Sequence, residues 1–325
     1  MNISLEKLAK IAGVSVGTVS KAFAESHEIS QATKEKIFDI AKEYDCFEKY
    51  YKPKKARTVI GVICPEVKSP YYSFMVSRIE NELAKKNVIT YVLLSNFNEK
   101  KEAELITYLT SSKSVDGIIV INAIGKVKFN KDLPTVAVHT NRAISEVDCI
   151  NVDFKNATQE AIKLLKDFGH EKIGFIGEKL TFSKQRIFNE AMKLNKITLN
   201  PDWIFTEQER FEKAGKLAME KIFKLEERPT AILCAYDYIA LGAIEVIKKH
   251  GLKVPEDFSL IGYDDIPIAS HVNVDLTTIK TNNNLICDLA VDLILKKLDS
   301  RFYALHQQIT PHAELIIRNS VRKIN

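Results

Sequence analysis

The chain has 325 residues, of which 46% are hydrophobic and 27% charged, and it carries a net charge of +5. That is too long for one small core and suits two or three domains. The mild positive charge identifies no partner by itself, because many basic proteins never touch nucleic acid. The cysteines at 46, 64, 149, 234 and 287 are scattered, with no Cys-x-x-Cys pair, which predicts buried reduced thiols. The opening MNISLEKLAK has no apolar core of signal-peptide length, and no later run approaches a membrane span. A cytoplasmic protein without a membrane partner is expected.

Three short helices are predicted at the start. Ser4 caps the first, in which Leu5, Leu8, Ala9 and Ala12 share a face, and Gly13 stops it with a left-handed turn. Ser15 caps a second, with Val19, Ala22 and Phe23 inward. Ser30 opens a third, with Ile37, Ile40, Ala41 and Tyr44 inward. Helix, glycine turn and helix is the helix-turn-helix layout. In such a unit the exposed start of the second helix meets base edges in the major groove.

Val16 and Gly17 stand there, able to touch a thymine methyl but not to make a bidentate hydrogen bond. Thr18 and Ser20 have short hydroxyls that reach phosphates and bases, and Lys21 can contact a guanine or a phosphate. With Ser4 and Ser15 at the helix starts, these form the candidate DNA-binding set. Residues 1–57 hold eleven Lys and Arg against eight Asp and Glu. Lys49, Lys52, Lys54, Lys55 and Arg57 form a run without an acid. Such a run reads either as a solvated linker or as a phosphate-binding strap, and Lys52, Lys54 and Lys55 join the candidate set on the second reading.

From Thr58 onward strands and helices alternate. Strands are predicted over Val59–Ile63, Val88–Leu94, Gly117–Ile121, Thr135–His139, Ile173–Ile176, Ala231–Cys234 and Ser259–Gly262. Helices are predicted over Tyr71–Lys86, Glu99–Thr110, Ala157–Phe168, Gln185–Leu194, Lys213–Phe223 and Asp237–His250. The alternation implies mainly parallel sheets covered by helices on both faces. Its extent predicts two such units in tandem, with a ligand cleft between them. Asp153 and Asp237, just before helices, read as N-caps, and His170 as orienting the turn after Gly169. No GxGxxG, Walker loop, GxSxG or HExxH occurs, so neither a cofactor nor catalysis is expected. The Asp264-Asp265 pair reads as a ligand acceptor or a cap before it reads as a metal site.

Residues 5–21, with Ala-Gly-Val-Ser-x-x-Thr-Val-Ser at 12–20, resemble the headpiece of the lactose/galactose repressor (LacI/GalR) family. The similarity continues through Gly-His-x-x-Ile-x-x-Ile at 169–176 and through 228–232, 240–243, 251–265, 276–279 and 311–320, fading only over 46–57. The resemblance implies a helix-turn-helix headpiece (1–47), a basic hinge (48–57) and a core like that of the periplasmic binding proteins (58–325). That core would comprise two doubly wound parallel-sheet subdomains, about 58–152 with 282–308 and 153–281 with 309–325.

The implied function is that of a DNA-binding repressor, homodimeric on a near-palindromic operator and controlled by a small carbohydrate or sugar-phosphate effector. A sugar-binding protein without DNA function is the alternative, and the headpiece speaks against it. The resemblance places Tyr71 and Tyr72 where relatives stack rings on the effector and Asp264 on the main hydroxyl acceptor. Lys184 falls on the effector-binding arginine, and His139 stands where an Asp is common. These two departures exchange an acid for a possible second cation and open the option of an anionic effector. The hinge departs further, with no leucine to wedge into the minor groove and with Pro53 interrupting a helix. Tyr50 or Tyr51 is a candidate substitute wedge. No leucine heptads follow the closing strand, so a dimer is expected instead of a tetramer.

Overall fold

A computed structural model describes residues 3–24, 26, 28–50, 57–123, 129, 133–139, 144, 146–266, 275–298 and 306–324, and of Glu48 only the backbone. Tyr51, Lys52, Pro53, Lys54, Lys55 and Ala56 lie outside the described residues.

The headpiece contains α1 (Leu5–Ala12), α2 (Val16–Phe23) and α3 (Gln31–Glu43). Ser4, Ser15 and Ser30 cap them, their hydroxyls accepting from the backbone N–H of Lys7, Thr18 and Thr33. Gly13 ends α1 at φ +70°, a conformation that a Cβ resists. Leu8, Ala9, Ala12, Val19, Ala22, Phe23, Ile37 and Ala41 form the core. Tyr44, expected inward, is exposed, because α3 ends beside it. Asp45 turns the chain back at φ 51° and buries Cys46, after which α4 (Phe47–Tyr50) docks in place of Tyr44. The rings of Phe47 and Tyr50 pack on Phe23, and the Tyr50 hydroxyl donates to Ile3 O at 2.5 Å. Tyr50 is therefore spent on the headpiece core and is not a free wedge for DNA.

The body begins with β1 (Val59–Cys64), α5 (Pro70–Lys85), β2 (Ile89–Leu94), α6 (Glu99–Ser112), β3 (Gly117–Ile121), β4 (Thr135–Val138) and β5 (Asp148–Ile150). The chain crosses at 151–154 into a second unit. This holds α7 (Lys155–Asp167), β6 (Ile173–Glu178), α8 (Phe182–Leu194), β7 (Ile204–Glu207), α9 (Phe211–Ile222) and β8 (Ala231–Cys234), then α10 (Asp237–Lys249), β9 (Ser259–Tyr263) and β10 (Thr277–Lys280). It crosses back at 281–282 into α11 (Asn283–Lys297) and β11 (Gln308–Ile309), and crosses again at 310–313 to end in β12 (Glu314–Ile316).

Among the described residues the strands form two six-stranded sheets, ordered β11-β5-β4-β3-β1-β2 and β12-β10-β9-β8-β6-β7. All pairings are parallel except β12 with β10. Continuous apolar strands such as Val59–Cys64 need cover on both faces. In the first sheet α5 and α11 cover one face, and Ile106 and Leu109 of α6 cover the other. The first and third crossovers pair with each other: Asp153 N–H donates to Pro311 O and Ala313 N–H to Asp153 O. Both units are thereby hinged along one edge of their sheets. All five cysteines are buried and unbridged.

Candidate functional site

On the headpiece, Ser4, Ser15, Val16, Gly17, Ser20 and Lys21 are exposed and Thr18 is half-buried. Val16, an apolar side chain at the start of α2, is 42% exposed and is not among the residues of the headpiece core. The Ser15 hydroxyl accepts from Thr18 N–H at 3.0 Å and lies 2.8 Å from the Thr18 hydroxyl, so both residues shape the helix start as well as facing outward. Lys21 is not idle: its ammonium pairs with Glu28, and that contact holds the Glu28 carboxyl below its ordinary range. Whether Lys52, Lys54 and Lys55 join this face falls outside the described residues.

The second site forms where the rule for open α/β sheets places ligands, beyond the C-terminal ends of the strands. The segments after β1, β3, β4, β5, β6, β8, β9 and β10 all contribute to one cavity of about 710 Å³. Tyr71, Tyr72, His139, Lys184 and Asp264 all line it. Residues nearly 200 positions apart meet because each lies in the segment or helix start that follows a strand pointing into the same cleft.

Tyr71 and Tyr72 lie edge to face, centroids 5.0 Å apart, with His139 at 5.8 Å from Tyr71. Tyr72 is buried against Phe97, leaving Tyr71 as the more available ring. The Tyr71 hydroxyl, Ser69 Oγ, His139 Nε2 and Asn283 Oδ1 are buried without a hydrogen-bond partner among the described residues. A buried polar atom without a partner costs ~1–3 kcal/mol, so a cluster of four marks a place built to receive a hydrogen-bonding ligand.

The charges need a correction to the expectation of two cations. Burial, reinforced by the Lys184 charge, pushes His139 down to about 4, so it is neutral at neutral pH. The Lys184 ammonium is buried; it donates to Ala235 O at 2.9 Å and pairs with Asp264 Oδ1 at 3.4 Å. It also lies over the rings of Tyr236 and Tyr263, 4.3 and 4.4 Å from their centroids. Burial pulls its pKa down against the attraction of Asp264, and burial raises Asp264 against the attraction of Lys184. Asp264 sits at φ 101°, a backbone conformation rarely adopted outside glycine, and its carboxylate lies in the cleft beside Lys184.

Asp237 is not the expected N-cap of α10, which is Tyr236. Its buried carboxylate accepts from the Thr278 hydroxyl at 2.6 Å and from Ile266 N–H at 2.9 Å, tying three segments beneath the cleft. Burial, then the charge of Asp264, pushes it up to about 7. Asp153 is not the N-cap of α7 either, which is Phe154, although its carboxylate accepts from Lys155 N–H at 2.8 Å. His170 is structural, bonded to Thr230 and to Arg322 O. Among the described residues no group of three or more His, Cys, Asp or Glu could hold a metal ion, and no helix is long and apolar enough to cross a membrane.

Several lining residues escaped the sequence reading: Phe154, Tyr236, Arg210 and Asn283. Their signal was positional, since each follows a predicted or missed strand at its C-terminal end.

Residues 4–46 match the family described as bacterial regulatory proteins, lacI family, and residues 162–321 match a periplasmic binding protein-like domain. The chain belongs to the lacI family of bacterial regulatory proteins. Its members are DNA-binding regulators, not enzymes. The regulator is 28% identical to the HTH-type transcriptional repressor PurR of Aliivibrio salmonicida (strain LFI1238) over 99% of both chains. It is equally 28% identical to the HTH-type transcriptional repressor CytR of Escherichia coli (strain K12), over 99% of the regulator and 97% of CytR. Among solved structures, the lac repressor dimer bound to operator and the anti-inducer ONPF superposes with a TM-score of 0.74 at 21% identity, covering 99% of the regulator and all of that chain. The CelR–cellobiose complex gives 0.69 at 20% identity, covering 98% of the regulator and all of that chain. These likenesses agree with the headpiece and the two-sheet core described above.

Proposed function

We propose that the regulator is a cytoplasmic homodimeric repressor that grips a near-palindromic operator and whose grip is set by a small neutral, polyhydroxylated effector of the sugar class. The carrying observation is the cavity itself: four buried hydrogen-bonding atoms without a partner among the described residues, beside aromatic faces, with Lys184 and Asp264 paired and His139 neutral. The cation buried beside Asp264 is already paired, so an anionic effector would have to break the Lys184–Asp264 pair to use it, whereas a neutral ligand leaves it intact. Neighbours of similar fold holding ribose, sucrose and cellobiose support this class.

In this reading Tyr71 offers a ring face, with Tyr72 behind it, and His139 a neutral hydrogen-bonding nitrogen. Asp264 accepts hydroxyls, and Lys184 holds Asp264 in place. Ser4, Ser15, Val16, Gly17, Thr18, Ser20 and Lys21 meet the operator, with Lys52, Lys54 and Lys55 on its phosphates. The headpiece extends to Tyr50, since α4 packs on its core. The surface for the second copy is β2, an edge strand whose Ile89, Tyr91 and Val92 are exposed.

The test is a thermal-shift titration with matched neutral sugars and sugar phosphates, followed by gel shift on DNA flanking the regulator's own gene. A neutral sugar should raise the melting temperature and change the gel shift, and Asp264→Asn should abolish both responses. A response confined to phosphorylated sugars would refute the neutral class. Absence of any sequence-specific shift would favour a sugar-binding protein without DNA function.

A further inference from the structure

Arg210 lies where neither the sequence motifs nor the effector reading needs it. It follows β7, the edge strand of the second sheet, and Glu178 ends the adjacent strand β6. Glu66 follows β1, near the corresponding edge of the first sheet. The crossovers leave the sheets by β5, β10, β11 and β12, at the opposite edges. From β5 to β1, and from β10 to β6, is three strand spacings, roughly 14 Å. A contact made there acts on the cleft far from its hinge, where opening would separate the two sides most.

Arg210 makes that contact. Its Nε donates to Glu178 Oε1 at 3.0 Å and its Nη1 donates to Glu66 Oε1 at 2.7 Å. Its guanidinium carbon also stands 4.4 Å from the Phe211 ring centroid and 5.1 Å from that of Phe97. Glu178 and Phe211 belong to the second unit, Glu66 and Phe97 to the first. Glu178 is almost wholly buried, and its other oxygen accepts from Phe211 N–H at 3.1 Å, so this carboxylate needs the arginine and fixes it. The rigid fork of a guanidinium then leaves a second nitrogen aimed across the cleft, which an ammonium at the end of a flexible stem would not do.

We propose that Arg210 is a clasp: anchored on Glu178, it reaches Glu66 and Phe97 and holds the two units closed before any effector arrives. The cleft is thus preorganised, and effector access requires transient release of the Arg210–Glu66 contact. This holds whichever ligand the cavity takes.

The test uses effector-free protein carrying spin labels at Lys100→Cys on α6 and Lys213→Cys on α9, both exposed, while the native cysteines are buried. Labelled protein is mixed with excess unlabelled protein so that an assembly carries one labelled chain. The distance distribution of the parent should show one short component. Glu66→Ala should add a longer one and raise the ratio of open to closed by about tenfold, equivalent to ~1.4 kcal/mol. Arg210→Met should do the same, if it folds with Glu178 left unpaired. Glu66→Ala, which keeps Arg210 on Glu178, decides the matter alone if it does not. A distribution for Glu66→Ala identical to the parent's would overturn the clasp and make this an ordinary ion pair without consequence.

Discussion

Replacing Lys184 by Met removes an ammonium from inside the cleft while keeping most of its aliphatic stem. The variant loses the bond to Ala235 O at 2.9 Å, two close ring contacts and the partner of Asp264. Breaking a buried ion pair from one side costs ~3–5 kcal/mol when the remaining charge must stay. Here the loss should sit at the lower end, ~3 kcal/mol, because Asp264 can take up a proton instead. Its carboxyl, already raised by burial, then loses the cation that draws it down. A folded-state pKa raised further means stability that is present at low pH and lost as pH rises, so the deficit of Lys184→Met should shrink on acidification.

Asp264→Asn is the matching partner change, since Asn tolerates the φ of 101° better than Ala does. It should cost ~2 kcal/mol by stranding the ammonium. The double variant holds no unpaired charge, so its loss should fall short of the sum by ~1–3 kcal/mol. Urea denaturation of the four effector-free proteins at neutral pH measures this directly. Losses that add to within ~0.5 kcal/mol would refute the reasoning, showing that the two side chains are neighbours without being an energetic unit.

Glu28→Gln should release Lys21 to the operator, tightening binding and steepening the log–log salt dependence by up to about 2 per dimer; an unchanged slope would mean that Lys21 meets no phosphate. Asp237, with a pKa of about 7 against 3.8 unfolded, holds its proton more tightly when folded. Its stabilising contribution is therefore full below 3.8 and lost as the pH rises to 7, so Asp237→Asn should gain on wild type between about pH 4 and about pH 7 in parallel melts, with no further gain above that. Gly242→Ala would set a Cβ 2.0 Å from Glu212 O, where α9 and α10 touch backbone to backbone. Forcing them apart should cost ~3 kcal/mol and lower the melting temperature by roughly 5 °C or more, with operator contacts untouched.

The headpiece was legible because its signals are local. A capping serine accepts from a backbone N–H three residues on, and a glycine turn needs only its own φ, so Ser4, Ser15, Ser30 and Gly13 could be placed without knowing the fold. The long buried strands were legible for the same reason. The three- and four-residue strands β5 and β7 were not, since Asp148, Thr206 and Glu207 break their apolar pattern and only pairing with β4 and β6 makes them strands. Tyr44 and Tyr50 exchanged expected roles because a single left-handed residue, Asp45, decided which ring the core received.

Sequence, through the family resemblance, pointed to Tyr71, Tyr72, His139, Lys184 and Asp264 as cleft residues, and all five line the cavity, whereas Phe154, Tyr236, Arg210 and Asn283 joined them only through the fold. Their electrical state was decided by the tertiary structure. His139 is neutral and Lys184 is paired only because distant segments bury the one and bring Asp264 to the other, and desolvation and Coulomb energy depend on distances in space that spacing along the chain does not contain. Arg210 is the extreme case: an unremarkable residue in a loop becomes a bridge between two units through a carboxylate 144 positions away.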